Sequence, residues 1–195
     1  MNVALFGTSA DPPTIGHLEI LRWLSNQFDQ VAVWAADNPF KAHQTDLDHR
    51  TVMLQLLVSE LNRSNVRVYS DFSHSRTIVT VDRARERFPS AAFTLVVGVD
   101  VAKQLPQWYR VAELLDRVQL LVMPRSGYVL SDGELSRLNE FGTQVTIAPV
   151  AVPDVSSTAY RNHQDLSGVT HAVQAYIDRE HLYSCDARAE KQAVH

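Results

Sequence analysis

The chain predicts an α/β fold built on a Rossmann-like, doubly wound parallel sheet, and three observations carry that prediction. Short apolar or alternating runs at 3–6, 30–35, 66–69, 92–97, 118–123 and 145–148 are separated by stretches whose apolar residues recur at helical spacing. Parallel neighbours require crossovers, so this alternation calls for a parallel sheet with helices on both faces. The runs at 92–97 and 118–123 are almost continuously apolar, as strands buried on both sides are. No Gly-x-Gly-x-x-Gly or Gly-Lys-Ser loop follows the first strand, which sets aside the dinucleotide-binding and phosphate-loop NTPase versions of the fold.

Taken in order, Leu18, Leu21, Leu24 and Phe28 predict a first helix over 17–28. The second strand, 30–35, leads into the polar segment Asp37-Asn38-Pro39-Phe40-Lys41-Ala42-His43-Gln44, at the strand end where open α/β sheets bind ligands. Thr45-Asp46-Leu47-Asp48 resembles a capping box opening a helix whose stripe is Val52, Met53, Leu56, Leu57 and Leu61. After the third strand, Ile78, Val81, Ala84 and Phe88 mark a helix stopped by Pro89. The fourth strand ends in Gly98-Val99-Asp100, and Leu105-Pro106-Gln107-Trp108-Tyr109 leads into a short helix through Leu114 and Leu115. Ser131-Asp132-Gly133-Glu134 is a capping box for a helix toward Phe141. Beyond the last strand, a short helix starts near Val155-Ser156-Ser157-Thr158 and a final one spans 170–180. Residues 1–183 are expected to form one domain and 184–195 a disordered tail.

The composition narrows the function. With 195 residues, 45% of them hydrophobic, the chain can bury a full core. A net charge of −4 gives no basic field for a nucleic acid, although local groups can still hold small anions. The single cysteine, Cys185, cannot form an intrachain disulfide, and no stretch approaches the ~20 apolar residues of a membrane span. A cytoplasmic location is the default, and a homo-oligomer is left open. The histidines lack the spacing of a zinc site.

The chemistry gathers on Phe6-Gly7-Thr8-Ser9-Ala10-Asp11-Pro12-Pro13-Thr14-Ile15-Gly16-His17, a strand, tight loop and helix start. Gly7 lets the chain leave the strand, the prolines stiffen the loop, and Gly16 permits close approach at the helix start. Backbone N–H groups there lack intrahelical partners and the helix dipole favours an anion, so a phosphate is the expected occupant. Thr14 and His17, three positions apart, can face the same group.

Asp11-Pro12-x-Thr14-x-Gly16-His17 after a first strand resembles the signature of the nucleotidyltransferase superfamily. The resemblance implies the HIGH-superfamily, adenylyltransferase type of sheet, with this loop on the triphosphate of ATP and His17 acting through the transition state. Gly7, Thr8, Ser9 and Thr14 are the accompanying ATP-binding residues. Thr8 stands where the superfamily usually has a second Gly, and Ala10 where it has an aromatic. A second signature, Ser-Ser-Thr-x-x-Arg, is matched by Ser156-Ser157-Thr158-Ala159-Tyr160-Arg161. Hydroxyls at a helix N-cap and a guanidinium fork suit phosphate oxygens. His17 and Arg161 are thus the catalytic candidates. Gly98 and Asp100, Ser156, Ser157 and Thr158 are further ATP contacts.

Such an enzyme needs no strong base, because a phosphate monoester is mostly dianionic at neutral pH. A Mg²⁺ ion held mainly by ATP phosphates would require few protein carboxylates, and none is assigned to it. Gly98-x-Asp100 and Leu105-Pro106-x-Trp108-Tyr109 resemble one member family, nicotinate-nucleotide adenylyltransferase, which transfers AMP from ATP to nicotinate mononucleotide in NAD biosynthesis. The likeness implies that Trp108 stacks on the pyridine ring, that backbone donors near Thr77 and Tyr109 take the carboxylate, and that Asn38 and Lys41 lie in the acceptor loop. Nicotinamide mononucleotide and pantetheine phosphate are alternative acceptors, and a nucleotide-binding sensor without turnover is the alternative of another class.

Overall fold

In the computed structural model of the protein, which describes residues 1–37, 44–125, 127, 129–162 and 166–183, the first strand becomes the middle of the sheet. β1 (Asn2–Thr8) pairs with β2 (Gln30–Ala35) on one side and β4 (Ala92–Gly98) on the other. β3 (Val66–Val68) lies outside β2, while β5 (Gln119–Met123) and β6 (Val145–Ile147) follow β4. All pairings are parallel and the order is β3-β2-β1-β4-β5-β6. The chain therefore steps outward from β1 in one direction, returns, and steps outward in the other. The loops after β1 and β4 diverge at that switch point, where such sheets hold their ligands.

Strand alternation sorts the core into two layers. Val3 and Leu5 of β1 join Ala32, Trp34, Leu95 and Val97 under α3 (Thr77–Arg87), α5 (Val111–Asp116) and α6 (Asp132–Asn139). Ala4 and Phe6 face the opposite way, against α1 (Ile15–Gln27), α2 (Leu47–Glu60), α7 (Ser157–Arg161) and α8 (His171–Arg179). Helix-spaced residues such as Leu21, Leu24, Met53, Leu57 and Val173 are fully buried there. The doubly wound fold expected from the alternating pattern is the one observed. No helix among the described residues is long and apolar enough to cross a membrane.

Three local expectations change. β1 continues through Gly7 and Thr8, because Gly7 is in register with Trp34 and the Thr8 carbonyl accepts the Ala36 N–H at 2.7 Å. Gly7 therefore lies inside the strand, and its missing side chain is filled by protein: a Cβ there would sit 2.5 Å from Cζ2 of Trp34. The cap of α2 is Asp46 and not Thr45, and no side chain caps it. Thr45 is drawn elsewhere, its carbonyl accepting from Arg50 Nε at 2.8 Å. The 3-10 turns at Ser70–Phe72 and Leu105–Gln107 and the one-turn helix α4 (Val99–Ala102) are too short to show a period in sequence. The Ser131 capping box forms as expected, with Glu134 Oε2 accepting the Ser131 N–H at 2.8 Å and Ser131 Oγ accepting the Glu134 N–H at 3.3 Å. Residues 184–195, Asn38 and Lys41 lie outside the described residues.

Candidate active site

The loop between β1 and α1 is held from several directions. Thr14, 1% exposed, is the N-cap of α1, and its backbone N–H donates to Nδ1 of His17 at 3.0 Å. The Thr14 hydroxyl lies 2.8 Å from the same nitrogen. An Nδ1 that accepts a main-chain N–H carries no proton, so the neutral ring has its proton on Nε2. His17 thus occupies the place of the usual acid in a capping box, and the cap sets both its orientation and its tautomer. Half-buried, with its ring centroid 6.5 Å from that of Phe6, it presents Nε2–H as a hydrogen-bond donor. Thr8 Oγ1 accepts the Ala10 N–H at 3.4 Å, and Ala10 takes a left-handed φ of 48° while packing into the core at 1% exposure. An aromatic at Ala10 would not fit that buried position without displacing core.

The second half-site docks directly on this loop. Ser157 Oγ donates to the Pro12 carbonyl at 2.8 Å. Arg161 Nη1 donates to the Asp11 carbonyl and lies 3.8 Å from Asp11 Oδ2, while Nη2 donates to Thr158 Oγ1 at 3.3 Å. Ser156 caps α7, accepting the Ala159 N–H at 3.0 Å. Gly16 is small because this segment comes so close: its Cβ would meet Val155 Cγ2 at 3.3 Å and the Pro153 carbonyl at 3.5 Å. The two motifs therefore form one continuous structure, with the N-termini of α1 and α7 side by side. Within it the protons of Ser157 and part of the Arg161 fork serve loop-to-loop docking.

Across the switch point, Gly98 opens α4 and the Asp100 carboxylate folds back over it, Oδ1 lying 2.7 Å from where a Gly98 Cβ would be. Asp100 Oδ2 faces Arg125 Nη1 at 3.2 Å. At the other end, Thr77 is the first residue of α3, and the Arg76 guanidinium lies 4.2 Å from the centroid of the Tyr109 ring. Tyr109 is 53% exposed, and Trp108 beside it is half-buried against the core. The start of α3 at Arg76 is thus in contact with Tyr109. No three His, Cys, Asp or Glu side chains come together as a metal cage among the described residues.

Four further residues were not singled out from sequence. Asp11, 3% exposed, accepts the Tyr183 hydroxyl on Oδ1 at 2.7 Å. Burial, and then the Asp11 charge, push the Tyr183 phenol well above the usual tyrosine range, with a hydrogen bond from Thr45 and the Arg161 charge opposing. Arg50, 3% exposed, donates to three main-chain carbonyls. Arg125 follows β5. A signal existed for Arg50: it stands at helical spacing from Met53, Leu54 and Leu57, and a charge on an apolar stripe must find buried acceptors.

The parallel sheet with two interlocked loops at its switch point is that of a nucleotidyltransferase, for the family model described as cytidylyltransferase-like matches residues 5–163. A Synechocystis protein named as a probable nicotinate-nucleotide adenylyltransferase is 41% identical over 198 residues, covering 94% of this chain and 99% of that one. A Gemmatimonas aurantiaca protein of the same name is 31% identical, covering 94% and 92%. The chain belongs to the nicotinate-nucleotide adenylyltransferase family within the cytidylyltransferase-like group. The fold is shared with the Plasmodium falciparum nicotinic acid mononucleotide adenylyltransferase complexed with NaAD, at TM-score 0.79, 18% identity and coverage of 93% and 97%. The same Plasmodium enzyme complexed with APC superposes at TM-score 0.75 and 20% identity, covering 93% and 96%.

Proposed function

We propose that the protein transfers AMP from ATP to nicotinate mononucleotide, giving deamido-NAD and pyrophosphate. The observation that carries the reading is the docking of Ser157 and Arg161 on the Asp11-Pro12 loop, which joins the starts of α1 and α7 beside His17. Family membership supports the acceptor. An oxygen of the acceptor phosphate attacks the α-phosphorus of ATP, and the bond to the β-phosphate bridging oxygen breaks to release pyrophosphate. The attacking monoester is largely dianionic, so no protein base removes a proton. The protein instead aligns the two phosphates and offsets the charge that builds on the leaving group.

In this reading Nε2–H of His17 donates to the triphosphate, and backbone N–H groups at the start of α1 and α7 add to it, with Arg161 supplying charge. Thr8 at the end of β1 and Ser9 after it lead into the loop, Gly7 serves within the strand by making room for Trp34, Ser156, Ser157 and Thr158 form the second helix start, and Gly98 and Asp100 the far wall. Trp108 offers its face to the pyridine ring. The positive end of α3 at Thr77, together with Arg76 stacked on Tyr109, favours a carboxylate over an amide and hence nicotinate over nicotinamide. Lys41 is assigned to the acceptor phosphate and Asn38 to acceptor binding.

The donor set fits a Mg²⁺ ion that arrives on ATP and keeps most of its waters. Asp11 faces a phenol and a guanidinium and Asp100 faces Arg125, so neither carboxylate is poised as a dedicated ligand. When bound, the ion would neutralise phosphate charge. We assign the protein to the cytoplasm, with residues 1–183 as one catalytic domain, and expect no nucleic-acid partner. A homo-oligomer is compatible with this reading. The test is pyrophosphate release from ATP with nicotinate mononucleotide, nicotinamide mononucleotide and phosphopantetheine in parallel. Preference for nicotinate mononucleotide is expected, preference for phosphopantetheine overturns the acceptor, and turnover with none overturns the enzyme in favour of a sensor.

A further inference from the structure

A guanidinium buried in a helix ordinarily answers a carboxylate, but that of Arg50 answers main chain. Its Nη1 donates to the carbonyls of Ser9 at 3.0 Å and Ala36 at 2.8 Å, and its Nε to that of Thr45 at 2.8 Å. Ser9 begins the loop that leads to His17. Ala36 directly follows β2, and Thr45 immediately precedes the cap of α2. One planar group therefore ties the phosphate loop to both ends of the neighbouring connection, the one that carries Asn38 and Lys41 in sequence. Burial lowers the pKa of this guanidinium, while Asp11, Asp37, Tyr183 and Asp46 act in the other direction.

Had the residue served only the packing of α2, an apolar side chain of similar volume would do as well or better. The acceptors lie instead on the loops at the ligand edge of β1 and β2, and they are fixed relative to one another by a fork with no freedom between its nitrogens. In-line attack of one phosphate on another is sensitive to that spacing: a displacement of about 1 Å costs on the order of 100-fold in rate. We propose that Arg50 is a positioning residue for the transfer, setting the separation between the Ser9 end of the phosphate loop and the chain at Ala36 and Thr45. The inference rests on the reaction proposed above.

Two variants separate this role from simple stabilisation. Arg50→Lys keeps the charge but can satisfy fewer of the three carbonyls, and Arg50→Met satisfies none. Per folded enzyme, kcat is expected to fall about 10-fold to 100-fold in Arg50→Lys and further in Arg50→Met, with KM for the mononucleotide raised. Hydrogen exchange should accelerate at 9–14 together with the described ends of the neighbouring connection, while amides in the middle of α2 stay protected. Overturning results are a wild-type kcat in either variant, a loss that tracks the folded fraction with KM unchanged, exchange that rises along all of α2, or unfolding of both variants. A wild-type protein idle on every acceptor refutes the reaction itself, and the exchange measurement then still decides whether Arg50 holds the two loops together.

Discussion

Replacing Tyr183 with Phe removes a single oxygen and leaves the ring, including its edge-on contact with Tyr160 at 6.0 Å, in place. What is lost is the hydrogen bond from Thr45 and the 2.7 Å bond to Asp11 Oδ1, the latter made to a carboxylate that is 3% exposed and has little access to replacement water. A hydrogen bond to a charged acceptor contributes about 1.5–3 kcal/mol. The phenol no longer has to be desolvated, which places the expected loss near 2 kcal/mol, or about 4–8 °C in Tm for a chain of this size. Urea unfolding at pH 7 followed by tryptophan fluorescence measures it, and a change within about 0.5 kcal/mol would refute the assignment of Tyr183 as an anchor of the phosphate loop. The pH dependence gives a second check. Because the folded-state pKa of Tyr183 is raised, the folded protein holds its proton at pH values where the unfolded chain, with a tyrosine pKa of about 10, has released it. The contribution is therefore complete below pH 10 and declines as pH rises beyond it. The stability gap between wild type and Tyr183→Phe should narrow on the alkaline side, whereas a constant or widening gap contradicts the coupling.

His17→Ala is expected to lower kcat about 100-fold to 1,000-fold while costing only about 1 kcal/mol of stability from the altered cap; a near-normal rate in pyrophosphate release counts against the role of the ring. Gly7→Ala places a methyl 2.5 Å from Cζ2 and 2.6 Å from Cε2 of Trp34, which is buried against Phe72 at 6.2 Å. The indole must move, at about 1–3 kcal/mol, and both Tm and the near-ultraviolet circular dichroism should change; an unaltered melting curve would show that Trp34 has room. The Glu134 carboxyl is held below its usual range by the N–H and hydroxyl of Ser131, and then by Lys103. Its contribution is present above the unfolded value near 4.5 and is lost as pH falls below it. Glu134→Gln should therefore lower the neutral plateau and flatten the acid limb, so that variant and wild type converge in urea titrations below that pH; an equal gap at neutral and acid pH would contradict the assignment.

Much of the site could be read along the chain because its parts are local. The Ser156 cap meets Ala159 three residues on, as helix-start geometry requires, whereas Thr14 and His17, expected to face one phosphate together, bond to each other at the start of α1 with Thr14 buried. The interlocking of the two motifs could not be read this way. Ser157 meets Pro12 across 145 positions, Arg161 meets Asp11 across 150, and Tyr183 meets Asp11 across 172. Gly7 illustrates the same limit, since a glycine beside a loop suggests a flexible exit, and only the pairing of β1 with β2 reveals that Trp34 occupies its space.

Sequence by itself determined the alternation of strands and helices and the Ser131 and Ser156 caps, because each depends on periodicity or on residues within one turn. Tertiary structure alone decided that Asp11 is a buried anchor rather than a surface loop residue, that the hydroxyl of Ser157 clasps Pro12, and that Arg50 joins three carbonyls. Those assignments depend on which loops the strand order brings to the switch point, and a buried polar group declares its partner only once the chain has closed around it.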